Sequence, residues 1–222
     1  IETNNDNKET IIDKKDLTPE QYFESIICQI MDSFTLSHDL AYVVLKKFNW
    51  NSNQVTNNWL AKQNEILKSL HIKLGSDLVP NLKSPLRMRN SSTGECPICL
   101  SETNLIELYC GHKICKECLI EDIKQQLAEN SVPTCRMVDE KRCDAEIMPD
   151  DIKTLLKEDK LIEKYEKIFL NTEISLNPNI RSCPGSDCNW IITPNNELPC
   201  HVGKCPKCGS VTCMKCYEGA HA

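Results

Sequence analysis

The stretch of sequence that decides the fold is residues 96–143, CPICLSETNLIELYCGHKICKECLIEDIKQQLAENSVPTCRMVDEKRC. It contains seven cysteines and one histidine, in the order Cys-x2-Cys-x10-Cys-x-His-x2-Cys-x2-Cys-x16-Cys-x7-Cys. Cysteines separated by two residues can turn both thiolates toward one tetrahedral ion, whereas buried structural thiols have no reason to recur at these intervals. Eight ligands predict two zinc ions. The expected ligands are Cys96, Cys99, Cys110, His112, Cys115, Cys118, Cys135 and Cys143.

A second set of candidate ligands lies between residues 183 and 221. One alternative is open in this set, because Cys200 could replace Cys205 as the third ligand. Cys205 is favoured because it begins the turn CPKCG, in which a glycine beside the ligand eases the curl that aims backbone amides at the thiolates. The expected ligands are Cys183, Cys188, Cys205, Cys208, Cys213, Cys216 and His221.

The composition limits the classes of protein to which the chain can belong. Fifteen cysteines in 222 residues need metals or disulfides, and their tight pairing favours metals. Many polar residues and no long apolar run predict a protein of the cytoplasm or nucleus, without a membrane partner. Acidic residues outnumber basic ones by 32 to 26, a formal net charge of -6. A broad phosphate-binding surface, and with it a nucleic-acid partner, is therefore not expected.

Outside the cysteine clusters, polar segments alternate with segments of helical periodicity. Residues 1–16 are polar and predict a disordered tail, and residues 71–95 predict a linker. Residues 17–70 predict three short helices, and residues 148–178 a helical linker. The fold class is therefore α-helical with small zinc-stabilised domains. The residues expected on the inward face of the third helix are Val55, Trp59, Leu60, Ile66 and Leu67.

The order of a three-helix module, an eight-ligand cluster with histidine in fourth place, a helical linker and a second cluster resembles one family. This family is the RING-between-RING ubiquitin ligases of the Ariadne type. The segments LTPEQYFESI, KKFNW, CPICL, CGHKICKEC, SCPGSDC and CGSVTCMKC all look like Ariadne counterparts. The resemblance covers roughly residues 17 to 222, and the metal-ligand spacing is highly specific.

The resemblance implies a structure for each segment. Residues 17–70 would form a three-helix bundle like a ubiquitin-associated (UBA) domain, here the helical segment. Residues 96–147 would form the first RING, here the RING segment, and residues 179–222 a truncated in-between-RING (IBR) domain, here the IBR segment. An IBR domain needs an eighth ligand beyond His221, so the IBR segment would hold one complete and one incomplete zinc site. In a cross-braced RING the first site would take Cys96, Cys99, Cys115 and Cys118, and the second Cys110, His112, Cys135 and Cys143.

The resemblance also implies a function. The first RING would recruit a ubiquitin-loaded conjugating enzyme, and ubiquitin would then move to a cysteine in a second RING, absent from residues 1–222, and on to a substrate lysine. The helical segment would add a ubiquitin-like-modified cullin complex as a possible partner. No catalytic residue can be assigned in the chain. The expected contacts with the conjugating enzyme are Ile98, Leu119 and Pro133.

Two further observations bear on the transfer step. Stand-alone RINGs often place an arginine after the final ligand to hold ubiquitin for direct transfer, whereas this chain has Asp144. The alternative to a relay is a stand-alone RING adaptor that binds the conjugating enzyme without forming a thioester. Cys28 and Cys200 lie outside the expected ligand sets, and neither has an evident base. Cys28 is expected to be a small buried hydrophobe.

Overall fold

The computed structural model describes residues 17–139, 141–188, 190–193 and 202–216. The expected tail, residues 1–16, lies outside the described residues. The chain divides into two compact units. One unit is Ser25–Pro178, and the other combines the described residues before Ser25 with those after Pro178. None of the described helices is both long enough and apolar enough to cross a membrane.

Three helices open the chain, as the sequence predicts: α1 (Pro19–Phe34), α2 (His38–Lys47) and α3 (Ser52–Ser69). The predicted capping box begins α1, because Thr18 Oγ1 accepts from the Gln21 amide at 3.2 Å and Gln21 Oε1 accepts from the Thr18 amide at 2.9 Å. Ser37 and Asn51 cap the next two helices by accepting amide hydrogen bonds. Each helix therefore begins where its sequence supplies a side-chain acceptor.

The apolar face of α3 is narrower than the sequence predicts. Val55 and Trp59 are buried, but Leu60 is 83% exposed, so its expected inward position is wrong. Five residues at about 100° each carry Leu60 about 140° around the helix from Val55. Lys62 then has non-helical dihedral angles (φ -129°, ψ 22°), and beyond this kink Ile66 and Leu67 are buried. The kink changes which residues of α3 face inward, but it lies beyond Leu60 and does not bring that residue to the core.

The segment predicted as a linker is instead packed. Ile72, Val79 and Leu86 are all buried. The Ser37 amide donates to the Leu82 carbonyl at 2.8 Å, and the Leu86 amide donates to Asp39 Oδ2 at 2.9 Å. The apolar residues are spaced too widely to show helical or strand periodicity, so the sequence alone indicated a loop. Residues 72–86 are part of the folded unit.

A small antiparallel sheet and one helix build the RING segment. The sheet has the order β1 (Arg89–Glu95), β2 (Glu102–Glu107) and β3 (Lys113–Cys115), with a bulge in β1. The first strand lies within the expected linker. Helix α4 (Lys116–Ala128) follows β3 directly.

Helix α4 buries one apolar stripe, Leu119, Ile123 and Leu127, at helical spacing. Gln126 extends the contact of α4 with the loop that leads to Cys135. Its amide nitrogen donates to the Thr134 carbonyl at 2.9 Å, and its amide oxygen accepts from the Thr134 amide at 3.0 Å. Gln126 is 1% exposed, so this polar pair lies inside the structure.

Two helices follow the RING segment: α5 (Pro149–Leu155), with proline in its first turn, and α6 (Asp159–Leu176). The prediction of a helical segment between the two cysteine clusters is confirmed. Tyr165, Ile168 and Ile174 bury one face of α6, and α6 packs against α4.

In the other unit, two short hairpins hold the second cluster. Strand β4 (Arg181–Ser182) pairs with β5 (Ile191–Ile192), and β6 (Val202–Lys204) pairs with β7 (Val211–Cys213). Ile192 and Met214 fill a small apolar core between the cysteines. A Cβ on Gly203 would come within 2.3 Å of Ile192 Cγ2, so glycine allows β6 to approach this core closely.

Candidate metal centres

The first group of ligands joins the start of the RING segment to the start of α4. The four sulfur atoms of Cys96, Cys99, Cys115 and Cys118 lie within 4.8 Å of one another. Cys115 is also the N-cap of α4, where its sulfur accepts from the Cys118 amide at 3.4 Å. The Cys115 amide in turn points at Cys96 Sγ, at 3.5 Å. Backbone amides therefore surround the thiolates and favour their charged form.

The second group contains the histidine. The sulfur atoms of Cys110, Cys135 and Cys143 and the Nδ1 atom of His112 lie within 4.8 Å of one another. His112 Nδ1 is 3.4 Å from Cys110 Sγ and 3.5 Å from Cys135 Sγ. The ligands of the two groups alternate in pairs along the chain, so the arrangement is interleaved, as expected for a cross-braced RING.

A carboxylate fixes the other nitrogen of the histidine ring. His112 Nε2 is 2.9 Å from Asp139 Oδ2. Histidines that bind metals commonly donate their second ring N–H to a carboxylate, which sets the tautomer and raises the basicity of the ligand nitrogen. The sequence analysis missed Asp139 because no spacing rule connects it to His112, 27 residues earlier. It supports the assignment of Nδ1 as the ligand atom.

The third group holds Cys183, Cys188, Cys205 and Cys208, whose sulfur atoms also lie within 4.8 Å of one another. The structure brings Cys205 into this group, and Cys200 lies outside the described residues. Gly209, at φ 75°, follows the last of the four cysteines, and its amide donates to the Cys205 carbonyl at 3.0 Å. The left-handed conformation explains the glycine in the turn CPKCG.

The expected fourth site is described only in part. Cys213 is buried at the end of β7, and Cys216 is exposed three residues later. The Lys215 amide donates to Cys213 Sγ at 3.4 Å, as the amides around the other clusters do. His221 lies outside the described residues, so this site stays a prediction.

The spacing of the donor atoms fits zinc. Four ligands about 2.3 Å from one tetrahedral ion lie about 3.8 Å from one another. The Sγ atoms of Cys99 and Cys115 are 3.9 Å apart, and those of Cys188 and Cys205 are 3.7 Å apart. Soft thiolates with a histidine nitrogen, grouped in fours, form the ligand set that selects zinc. All three groups are therefore candidate structural zinc sites.

The pKa values of the thiols show why each group needs a cation. Burial raises the pKa of Cys96, but backbone amides outweigh this effect and lower it to about 6. Hydrogen bonding to Cys110 lowers the pKa of Cys135 to about 6, and hydrogen bonding to Ser210 lowers that of Cys208 to about 6. The hydrogen bond between Cys135 and Cys110 raises the pKa of Cys110. Burial raises the pKa of Cys183 to about 12. Each group therefore contains at least one thiol of lowered pKa, and a divalent cation would stabilise the thiolates of the others.

A shallow groove lies beside the two RING sites, and we call it the Ile98 groove. Ile98 and Val138, which are 53% and 66% exposed, stand on its rim, and Leu108, Ile114 and Leu119 lie within it. Asp122 and Arg136 add charge to its lining. An exposed Ile98 agrees with its expected role as a contact residue.

The two other expected contact residues are not exposed. Leu119 is 2% exposed because it belongs to the buried stripe of α4, and Pro133 is buried where its carbonyl accepts from the Ile147 amide at 3.0 Å. Leu119 lines the groove but offers almost no surface to a partner, and the role of both residues as contacts stays a prediction. Val138, which the sequence analysis did not name, supplies the exposed apolar side chain instead.

Cys28 also differs from its expected environment. It is exposed on α1, although Ile26 and Ile27 beside it are buried. Successive helical residues point about 100° apart, so neighbours in sequence need not share a face. It lies outside the three groups of ligands.

Comparison with protein families supports the prediction of an in-between-RING domain around the C-terminal cysteine cluster. Residues 163–222 match the family described as "IBR domain, a half RING-finger domain". This region includes all four cysteines of the third group and the candidate ligands of the fourth. The second cluster therefore matches an in-between-RING domain.

Curated relatives extend the similarity over most of the chain. The mouse E3 ubiquitin-protein ligase ARIH2 is 24% identical over 191 residues, which are 84% of this chain and 37% of that protein. The Drosophila melanogaster E3 ubiquitin-protein ligase ariadne-1 is 25% identical over 185 residues, 81% of this chain and 36% of that protein. The mouse E3 ubiquitin-protein ligase RNF19B is 30% identical over 134 residues, 57% of this chain and 18% of that protein. The chain thus spans well under half the length of these relatives.

Among solved structures, the crystal structure of a pParkin-pUb-UbcH7 complex matches with a TM-score of 0.45 and 19% identity, over 67% of this chain and 50% of that chain. The IBR match and the Ariadne relatives agree with the ligand order of both clusters. On these observations, the chain is similar to RING-between-RING E3 ubiquitin-protein ligases of the Ariadne type, and its C-terminal part matches the IBR domain.

Proposed function

We propose that the RING segment binds a ubiquitin-loaded conjugating enzyme through the Ile98 groove, for transfer of ubiquitin to a cysteine in a second RING and then to a substrate lysine. The observation that carries the proposal is the exposure of Ile98 between two ligands of the first site. A side chain in this position has no packing role of its own. Curated relatives named E3 ubiquitin-protein ligases support the assignment.

The groove has the composition of a docking surface for a small apolar loop. Its lining combines the exposed aliphatic side chains Ile98 and Val138 with buried apolar residues, and two charged residues also line it. Interfaces commonly concentrate their binding energy in a few such apolar anchors surrounded by a polar rim. Zinc would hold the groove in shape, because Cys99 lies next to Ile98 in the chain and Cys135 lies three residues before Val138.

The proposed relay is supported by the residue after the last RING ligand. The family resemblance implies that stand-alone RINGs place an arginine here for direct transfer, and this chain has Asp144. Its carboxylate is 2.8 Å from His71 Nε2, and its side chain is 82% exposed. A negative charge held at this position cannot act as a hydrogen-bond donor to ubiquitin.

Binding tests the docking proposal. Ile98→Ala should weaken binding of a ubiquitin-loaded conjugating enzyme about thirtyfold, corresponding to about 2 kcal/mol for one interface anchor. Titration calorimetry measures the affinity, and metal analysis should show unchanged zinc, because Ile98 supplies no ligand. Leu60→Ala is the matched control, since Leu60 is an exposed aliphatic residue outside the groove. Equal affinities for wild type and Ile98→Ala would place the docking surface elsewhere.

A single-turnover assay separates the relay from the adaptor. The chain should accept no ubiquitin as a reducible adduct on a non-reducing gel and should barely accelerate discharge onto free lysine. The physical reason is that the clustered thiols are suited to zinc, which would neutralise their thiolates. An adduct that Cys28→Ser abolishes would overturn the assignment of no catalytic residue. Rapid lysine discharge without an adduct would favour the adaptor.

A further inference from the structure

A buried network of charged and polar side chains lies away from the metal centres, and we call it the Lys46 network. It joins the end of α2 to the residues after the RING ligands and to α6. Lys46 Nζ is 2.5 Å from Glu146 Oε2 and 2.6 Å from Glu173 Oε1. Glu173 is fully buried and Glu146 is 9% exposed. Two carboxylates taken out of water around one ammonium group require near-complete hydrogen bonding.

The network meets this requirement. Lys46 donates to Tyr42 Oη at 3.1 Å as well as to the two carboxylates, so each of its three protons has an acceptor. Tyr42 Oη donates to Glu146 Oε1 at 2.5 Å. Trp50 Nε1 donates to Glu173 Oε2 at 2.7 Å. Every oxygen of both carboxylates therefore accepts a hydrogen bond.

Aromatic rings close the network on the side of α6. Lys46 Nζ lies 6.0 Å from the centroid of the Phe169 ring, within the range of a cation–π contact. The Tyr42 and Phe169 rings have centroids 5.8 Å apart, and the Tyr165 ring packs on Phe169 at 5.7 Å. These rings cover part of the charged groups, and 19% of the Lys46 side chain stays exposed. Burial would lower the pKa of Lys46, but Glu146 and Glu173 outweigh it and raise that pKa, so the ammonium stays charged.

The backbone is shaped to bring Trp50 to this network. Asn49 and Trp50 both have positive φ angles, 50° and 61°. A bulky residue rarely adopts this left-handed conformation, and where it does the surrounding contacts hold it there. Trp50 is 3% exposed, and its indole N–H reaches Glu173. The turn after α2 thus adopts an unfavourable backbone conformation, which places the indole N–H of Trp50 against Glu173 on α6.

We propose that Lys46 is the centre of a clamp that fixes α6 against α2 and the end of the RING segment, so that α6 can change position only when this network opens. Glu173 is the point of attachment on α6, because both of its carboxylate oxygens bind groups from α2 or the turn after it. Removing Lys46 leaves two buried carboxylates facing each other without a cation. Like charges in that setting repel, and because Glu173 is the contact of α6 with this network, we expect the attachment of α6 to loosen.

The three tryptophans of the chain make the clamp measurable. In Lys46→Met, the indole N–H signal of Trp50 in a nitrogen–proton NMR spectrum should shift and lose protection, and the amides of residues 168–176 should exchange with deuterium at least about tenfold faster. The indole of Trp59, buried in the helical segment, should stay unchanged and reports that the variant is folded. Trp50→Phe assigns the signal.

The matched control is the exposed ion pair between α5 and α6, Lys153 with Glu166 at 2.8 Å. Lys153→Met removes a lysine facing the same helix but should leave exchange within about twofold, because exposed pairs contribute little. If Lys46→Met does not fold, Glu173→Gln tests the same point, since it keeps the size of the side chain and removes its charge. Unchanged exchange of α6 in a folded variant, an equal effect in Lys153→Met, or an increase spread evenly over α2, α3 and α4 would each overturn the clamp.

Discussion

Asp139 Oδ2 lies 2.9 Å from His112 Nε2, while the opposite nitrogen of the ring, Nδ1, faces Cys110 and Cys135. One exposed carboxylate therefore determines which nitrogen the histidine presents to the second RING site. Because Asp139 lies four residues before Cys143, its position is tied to the last ligand of the same site.

Asp139→Ala should weaken zinc binding at the second RING site about 10- to 100-fold, the usual effect of losing the carboxylate that orients a ligand histidine. Competition with a chromophoric chelator measures the affinity. Asp144→Ala is the matched control, because Asp144 pairs at 2.8 Å with His71, which is not a ligand. Equal losses in both variants would mean that net charge, and not orientation of His112, governs affinity.

Removal of the metal should unfold the RING segment and leave the helical segment folded. The clustered cysteines hold residues 96–143 together, whereas the buried residues of α2 and α3 include no candidate ligand. Binding of structural zinc is also folding free energy, so a chelator removes both. Hydrogen exchange should show protection lost in β2, β3 and α4 but retained in α3, and zinc should restore it. A RING segment that stays protected in excess chelator would contradict the zinc assignment.

Truncation of two leucines in the helical segment should change the free energy of unfolding by very different amounts. Leu45 is fully buried and Leu60 is 83% exposed. Leu45→Ala should lower the free energy of unfolding by about 2–5 kcal/mol, through lost burial and the cavity left behind. Leu60→Ala should change it by no more than about 0.5 kcal/mol. Denaturant unfolding of the zinc-loaded protein measures both. A large effect at Leu60 would show that the kink at Lys62 is wrongly placed.

The Lys46 network should make stability depend on pH. Burial raises the pKa of Glu146, and Lys46 only partly offsets this. The folded state then binds the Glu146 proton more tightly than the unfolded state, so the stabilisation is complete below the unfolded pKa, about 4.3, and is lost as pH rises through the folded pKa. The Glu146→Gln variant has no titrating group at position 146, so its stability lacks this dependence on pH. The groups that face Glu146 are Lys46, Tyr42, Tyr109, Tyr165 and Glu173.

The measurement is the difference in unfolding free energy between wild type and Glu146→Gln, with zinc in excess. This difference should fall as pH rises above the unfolded pKa of about 4.3 toward the raised folded pKa. Burial and the nearby glutamates raise the pKa values of Tyr42, Tyr109 and Tyr165, so these side chains stay neutral over that range. A difference that is constant with pH, or that grows, would show that Glu146 is ionised without cost.

The sequence predicted the grouping of the candidate ligands within the described residues, because ligand spacing is a local, chemical signal. Four thiolates can meet at one ion only if the loops between them have suitable lengths, so the order of Cys96 to Cys143 carries its own geometry. Burial is a tertiary property, and there the sequence misled. Leu60 resembles a core residue by type, and the α3 kink decides its position. Cys28 was likewise misplaced, because a shift of one residue along a helix can turn a side chain from the core to solvent.

The Lys46 network could not be predicted at all from one sequence. Lys46, Glu146 and Glu173 are typical surface residues by type, and more than a hundred positions separate Lys46 from Glu173. Their burial depends on the packing of three elements that are not adjacent in the chain. The packed segment between Ile72 and Leu86 was missed for a related reason, since isolated apolar residues in a polar context show no periodicity.

Gln126 shows that residue type alone can mislead when the effect of a natural variant on stability is judged. A glutamine on a helix with charged neighbours suggests a position that tolerates any polar residue. Its amide, however, donates to the Thr134 carbonyl and accepts from the Thr134 amide, as the backbone of a neighbouring strand would. Glutamate lacks the donor and lysine lacks the acceptor, so neither can replace it. Substitutions at position 126 should therefore be expected to disturb the loop that carries the candidate zinc ligand Cys135.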